Sequence, residues 1–254
     1  MSAAVPSVRG EGAQRRVPSA AAAAAGLPAA LRGWAEALEA EGLRCWPLSE
    51  RLLLVRDEVG QVPELRVLWP LLQRLPEPPR LELVAPGVLR AMASPGAKHQ
   101  YAARKLQRLL DDQEGEMGPL RWWFEWERGL LLGGRLLVPD GCGWRLGEGD
   151  EVPPPWTEPN PIERVPEWVL EVLSEGTAGY DRGVKASYYA EAGVPWLWLL
   201  EPERRLLQVL HLTERGSWQL VSEQRGEHEV LLPPFDSPVA LASLWRPAPR
   251  PRRG

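Results

Sequence analysis

Two short apolar runs, Trp168–Leu173 and Trp196–Leu200, constrain this chain more than any other feature. Each is strand length and nearly free of polar residues, the pattern of strands buried on both faces. Between them, residues from about Asp181 to Ala192 have helical spacing, and Gly193 supplies a stop. Strand–helix–strand in the middle, with hairpin patterns on each side, implies an α/β chain with a mixed sheet flanked by helices.

The flanking segments support that architecture. Arg80–Ala85 and Val88–Ala93 are two strand-like runs joined at Pro86-Gly87, a hairpin signal. A helix is predicted from about Ala97 to Asp111, with His99, Ala102, Leu106 and Leu110 on one face and Lys98, Lys105 and Arg108 on another. A tryptophan-rich strand near Arg121–Glu127 and a strand near Leu136–Trp144 follow, separated by Gly133-Gly134. Residues 146–166 read as a proline-rich loop, and Leu206–Leu212, Trp218–Val221 and Glu229–Leu232 as a closing β-meander. Upstream, residues 1–26 lack periodicity and are predicted as a disordered, alanine-rich tail. Residues 27–75 are predicted as a helical appendage with one short strand at Leu52–Arg56, and residues 76–247 as the organised domain.

Composition excludes several classes. With 254 residues, 44% of them apolar, the chain can bury a core of ordinary size. Cys45 and Cys142 lie far apart and fit neither a zinc site nor a secreted disulfide framework, which points to a reducing, cytoplasmic setting. Arg15 and Arg16 before the run Ala20–Ala25 resemble a signal peptide only faintly. No uncharged apolar stretch is long enough for a membrane helix. A net charge of −4 argues against a protein that coats nucleic acid, but not against an enzyme whose carboxylates need a metal ion. Of 30 basic residues only Lys98, Lys105 and Lys185 are lysines, so a lysine here draws attention.

Glu171 is the one polar residue inside Trp168–Leu173, and a carboxylate there is expensive to bury as an ion. It must pair, protonate or coordinate a metal; a buried salt bridge to an arginine is the plain alternative. Asp140, in Leu-Val-Pro-Asp-Gly, is a second acidic group or an ordinary turn aspartate. Asp181, Lys185 and Tyr189 are spaced to line one helical stripe. Lys185 is then either half of a solvated Asp–Lys pair or an ammonium beside the carboxylates, stabilising charge on a phosphate. Two acids and a lysine are what phosphodiester hydrolysis calls for, because hard oxygen ligands hold Mg²⁺ or Mn²⁺.

Taken in order, these segments resemble the Uma-two (Uma2) family, which belongs to the restriction-endonuclease-like PD-(D/E)XK superfamily. The resemblance rests on Arg80-Leu-Glu82-Leu-Val-Ala-Pro-Gly87, Ala93-Ser-Pro-Gly-Ala-Lys-His99, Leu137-Val-Pro-Asp140, Glu167-Trp-Val-Leu-Glu171-Val-Leu-Ser174, Lys185-Ala-Ser-Tyr-Tyr189 and Trp196-Leu-Trp-Leu-Leu-Glu-Pro202. It implies a Mg²⁺- or Mn²⁺-dependent endonuclease acting on DNA, with Asp140, Glu171 and the Val172 backbone carbonyl as metal ligands and Lys185 as catalytic lysine. Leu173 stands where the lysine of the simplest superfamily motif would be, so the lysine must come from the next helix. Glu175-Gly176 replaces the family's usual proline-serine.

Four auxiliary residues have two readings each. Glu82 is a third acid near the metal or an outward-facing strand residue. Glu127 faces the site or the surface. His99 is a core histidine or a phosphate contact. Tyr189 packs or takes part. The competing functions are a noncatalytic module that keeps this fold and forms a homodimer through its tryptophan-rich strands, and a carbohydrate-binding β-domain.

Overall fold

The computed structural model describes residues 29–74, 81–92, 94–111, 121–146, 161–236 and 238–245; the tail expected over residues 1–26 and most of the 146–166 loop lie outside them. Helix α1 (Ala29–Ala40) leads into β1 (Arg44–Pro47), β2 (Leu52–Arg56), helix α2 (Leu65–Gln73), and the hairpin β3 (Leu81–Ala85) and β4 (Val88–Ala91). Helix α3 (Ala97–Asp111) precedes β5 (Arg121–Trp126), β6 (Leu130–Leu132), β7 (Arg135–Leu137), β8 (Gly141–Leu146) and β9 (Trp168–Val172). A helical stretch of α4 (Ala178–Tyr180), a π-helical turn (Asp181–Lys185) and α5 (Ala186–Ala192) connects to β10 (Trp196–Glu201). Then come β11 (Leu206–Leu212), β12 (Trp218–Arg225), β13 (Glu229–Leu231), β14 (Pro238–Ala240) and α6 (Leu241–Leu244).

The strands form two six-stranded sheets and a two-stranded one. The first runs β1-β2-β4-β3-β7-β6 with antiparallel pairs throughout. The second runs β12-β11-β10-β9-β8-β5, and only β9 and β10 pair in parallel. Parallel neighbours need a crossover connection, and the α4–α5 stretch supplies it. The expected α/β architecture, a mixed sheet flanked by helices, is therefore present. The expected meander is shorter: β13 leaves β12 and pairs with β14 instead.

Residues 27–75 are not a purely helical appendage. Strand β2 pairs with β4, and Leu31, Leu38, Leu53, Leu68 and Leu72 share one core with Leu81, Leu83, Leu89 and Leu136. A strand such as β2 needs a neighbour for its backbone N–H and C=O groups, and the β3–β4 hairpin provides one. The close fit uses Gly87 (φ +69°), where an added Cβ would lie 2.6 Å from the Val55 carbonyl oxygen.

The single strand expected over Leu136–Trp144 is two. β7 ends in the first sheet and β8 starts in the second, and Pro139 lies in the break. Proline has no N–H for a ladder, so strand pairing stops there. Asp140 consequently sits at the seam between the sheets.

Both faces of β9 are covered, as its apolar sequence requires. Trp168, Leu170 and Val172 join Ala102, Leu106 and Leu110 of α3 in one cluster, while Val169 and Leu173 join Ala186 and Tyr189 of α5 in another. Alternation along the strand places Glu171 on the α5 side.

Candidate active site

Glu171 is 2% exposed, and its partner is a lysine rather than an arginine. Glu171 Oε1 lies 2.6 Å from Lys185 Nζ and accepts a hydrogen bond from the Tyr189 hydroxyl at 2.5 Å. Lys185 is no solvated surface cation either: its side chain is 1% exposed. The π-helical turn ends at this residue, with the Ala186 amide bonded back to the Asp181 carbonyl. Such a turn widens the helix locally, and here it brings the stripe Asp181, Lys185 and Tyr189 against the sheet, all three buried.

Glu82 does not face outward. It is fully buried, and its Oε1 lies 3.1 Å from Lys185 Nζ and accepts the Val138 amide at 3.2 Å. Its Oε2 accepts the Tyr180 hydroxyl at 3.1 Å, and Arg90 stands 3.8 Å away. Lys185 also donates to the Val138 carbonyl at 3.0 Å, so it ties β3, the β7–β8 seam and β9 together.

Asp140 arrives from the other side of β9. By register, the residue opposite Val172 on the β8 side is Pro139, beyond the last ladder pair. The Asp140 carboxylate takes the vacant ladder position, with Oδ2 accepting the Val172 amide at 2.7 Å. Its Oδ1 lies 2.9 Å from His99 Nε2, so His99 is bound to Asp140 and is not simply packed in the core. Glu127 does not join. It has left-handed backbone (φ +53°) after the end of β5, its side chain is exposed, its amide donates to the Asp140 carbonyl, and it does not line the cavity.

A cavity of about 30 Å³ lies at this junction, lined by Asp140, Glu171, Val172, His99, Asp181 and Arg90 among others. That volume suits a water or a bare cation. Asp181 and Arg90 are the contributors missed as site residues from sequence. Asp181 read as half of a solvated Asp–Lys pair, and Arg90 is one arginine among many. On the basic face of α3, Lys98 pairs with Glu203 and Lys105 lies over the Tyr101 ring, while Arg108 is exposed.

Burial pushes the Glu171 carboxyl well above the usual carboxylate range; Lys185 opposes the shift, and Asp181 and Asp140 add to it. Burial pulls Lys185 down, yet Glu171, Glu82 and Asp181 outweigh it and hold the ammonium well above an ordinary lysine. Burial also raises Asp181, against Lys185 and a Thr177 hydrogen bond. The folded chain thus grips the Glu171 proton more tightly than the unfolded chain. That contribution to stability is complete below the ordinary glutamate pKa and is lost as pH rises through the raised value. In metal-free buffer, the stability of the native chain minus that of Glu171→Gln should therefore fall as pH rises above the ordinary glutamate range. Thermal melts of both proteins over that rise in pH check it, and a flat or rising difference contradicts it.

Asp140, Glu171 and Asp181, which line the cavity with Val172, offer oxygen donors. Among the described residues, no group of three or more His, Cys, Asp and Glu side chains is already drawn together as a metal cage. Two carboxylates suffice for an ion that keeps several waters in its shell.

The mixed sheet has a counterpart among solved structures. A solved structure from Anabaena variabilis ATCC 29413, described as "a putative nuclease belonging to DUF820", is similar in fold at 18% identity and a TM-score of 0.51, over 68% of this chain and 93% of that one. The Uma2 family, described as "Putative restriction endonuclease", matches residues 69–241, more than half of the chain, and the chain belongs to that family. Glu82, His99, Asp140, Glu171, Lys185 and Tyr189 all fall inside the matched stretch. No curated protein matches the chain.

Proposed function

We propose that this chain is a divalent-metal-dependent endonuclease that hydrolyses DNA phosphodiester bonds. The observation that carries the reading is the meeting of Asp140 and Glu171 at one small cavity, with the buried Lys185 ammonium against Glu171. Asp140, Glu171 and the Val172 carbonyl would hold Mg²⁺ or Mn²⁺, as hard oxygen donors suit these ions. Glu171 is held high first by burial, with Asp181 and Asp140 adding to it against Lys185, and a cation in the cavity would favour its charged form. When bound, the ion would neutralise charge on the phosphate and lower the pKa of a water.

The remaining work falls to the protein's own groups. Lys185 and Tyr189 both hold Glu171 Oε1, which leaves Oε2 for a ligand at the cavity that Glu171 lines. His99 and the Val172 amide fix one oxygen each of Asp140, and each oxygen keeps a further lone pair for a ligand. Lys185 comes from the helix after β9, which fits a PD-(D/E)XK site in which Leu173 has displaced the usual lysine.

The test is incubation of supercoiled plasmid and single-stranded DNA with Mg²⁺, Mn²⁺ or EDTA. Cleavage with either ion, none with EDTA and none by a folded Asp140→Asn variant is the expected pattern. Metal-independent cleavage, or cleavage by Asp140→Asn at the native rate, contradicts it. A native protein that neither cleaves nor binds metal is the noncatalytic module.

A further inference from the structure

Lys185 is already committed within the protein: it donates to the Val138 carbonyl at 3.0 Å and pairs with Glu171 Oε1 at 2.6 Å and Glu82 Oε1 at 3.1 Å, with its side chain 1% exposed. A phosphodiester approaching Asp140, Glu171 and Asp181 would still need a cation from the protein. The cavity has one. Arg90, on β4, lines it with these three acids. Its guanidinium sits 3.4 Å from the centroid of the Tyr180 ring, and its nearest carboxylate, Glu82 Oε2, is 3.8 Å away, beyond hydrogen-bond range. Among the described residues no side-chain hydrogen bond claims its donors. The side chain is 10% exposed, so it lines the cavity while staying packed.

We propose that Arg90 is the phosphate-binding cation of this site, donating its planar fork to the two nonbridging oxygens of the scissile phosphate. The proposal rests on the nuclease reading above. A guanidinium suits the task because its paired N–H groups match two phosphate oxygens, and stacking on Tyr180 orders it in advance. Lys185 then acts as the positioning residue that holds Glu82 and Glu171, and Arg90 as the group that meets the substrate. A phosphate would rest at the mouth, because the cavity itself admits little more than an ion.

The experiment is fluorescence anisotropy of a duplex oligonucleotide over a salt series, on an Asp140→Asn background that prevents cleavage, with Arg90→Gln and Arg90→Lys added singly. Arg90→Gln should raise Kd about tenfold and lower the slope of log K against log salt by about 1. Arg90→Lys should keep the slope and restore only part of the affinity, since it retains charge without the fork. Should Arg90→Gln fail to fold, Arg90→Lys carries the test alone through a severalfold higher Kd. If the native chain cleaves DNA but the Arg90 variants share the parent's Kd and salt slope, with only thermal stability reduced, Arg90 is structural and this proposal falls alone. If the native chain neither cleaves nor binds DNA, the nuclease reading falls and takes Arg90 with it.

Discussion

Replacing Lys185 by methionine should destabilise the protein by about 3–5 kcal/mol, the range for removing one partner of a buried ion pair. The substitution keeps most of the volume and deletes the charge. Glu82 and Glu171, 0% and 2% exposed, would then face each other without a cation, and the Val138 carbonyl would lose its donor. At roughly 2–4 °C per kcal/mol for a chain of this size, the melting temperature should drop by roughly 6–20 °C. Lower pH should shrink the deficit, because a proton on either acid replaces the missing positive charge. DNA cleavage should be lost as well, since nothing then holds Glu171 Oε1 except Tyr189. Denaturant unfolding of the two proteins at matched pH checks the first part. Equal stability would mean that Lys185 is not the hub of the seam.

Trp168→Ala should be comparably damaging, by about 3–5 kcal/mol, for an unrelated reason. Trp168 is fully buried, and its ring meets Phe124, Trp126, Trp198 and Phe235 edge to face at centroid separations of 5.3–6.2 Å. Removing it opens a cavity that a strand flanked by two neighbours cannot close. The indole N–H has no hydrogen-bond partner among the described residues, so Trp168→Phe should lose much less, roughly 1 kcal/mol. Trp168 and Glu171 lie on opposite faces of β9, and the fraction of Trp168→Ala that remains folded should bind metal like the native chain. Thermal melts paired with metal titration separate the two effects.

These two residues show what was legible in the chain. β9 and β10 stood out because apolar runs of strand length leave few alternatives, and α3 was delimited by its own periodicity. Asp140, Glu171 and Lys185 were selected by local chemistry, and the fold brings them together with Glu82, His99 and Tyr189, though not Glu127. What stayed hidden depends on contacts between distant segments. The pairing of β2 with β4 cannot be read from a short strand alone. Pro139 was visible, but not that the chain changes sheets there. Arg90 and Asp181 carry no local signal, because an arginine in a strand and an aspartate at a helix start are common in ordinary surfaces. The π-helical turn, which moves Lys185 inward, has no sequence pattern of its own.

The most direct measurement is titration of Mn²⁺ into the native chain and Asp140→Asn, followed by electron paramagnetic resonance of the free ion. One saturable site in the native chain, lost in Asp140→Asn while its fold persists, is the predicted result. Equal Mn²⁺ binding by both proteins, or none by the native chain, would contradict a metal centre between Asp140 and Glu171.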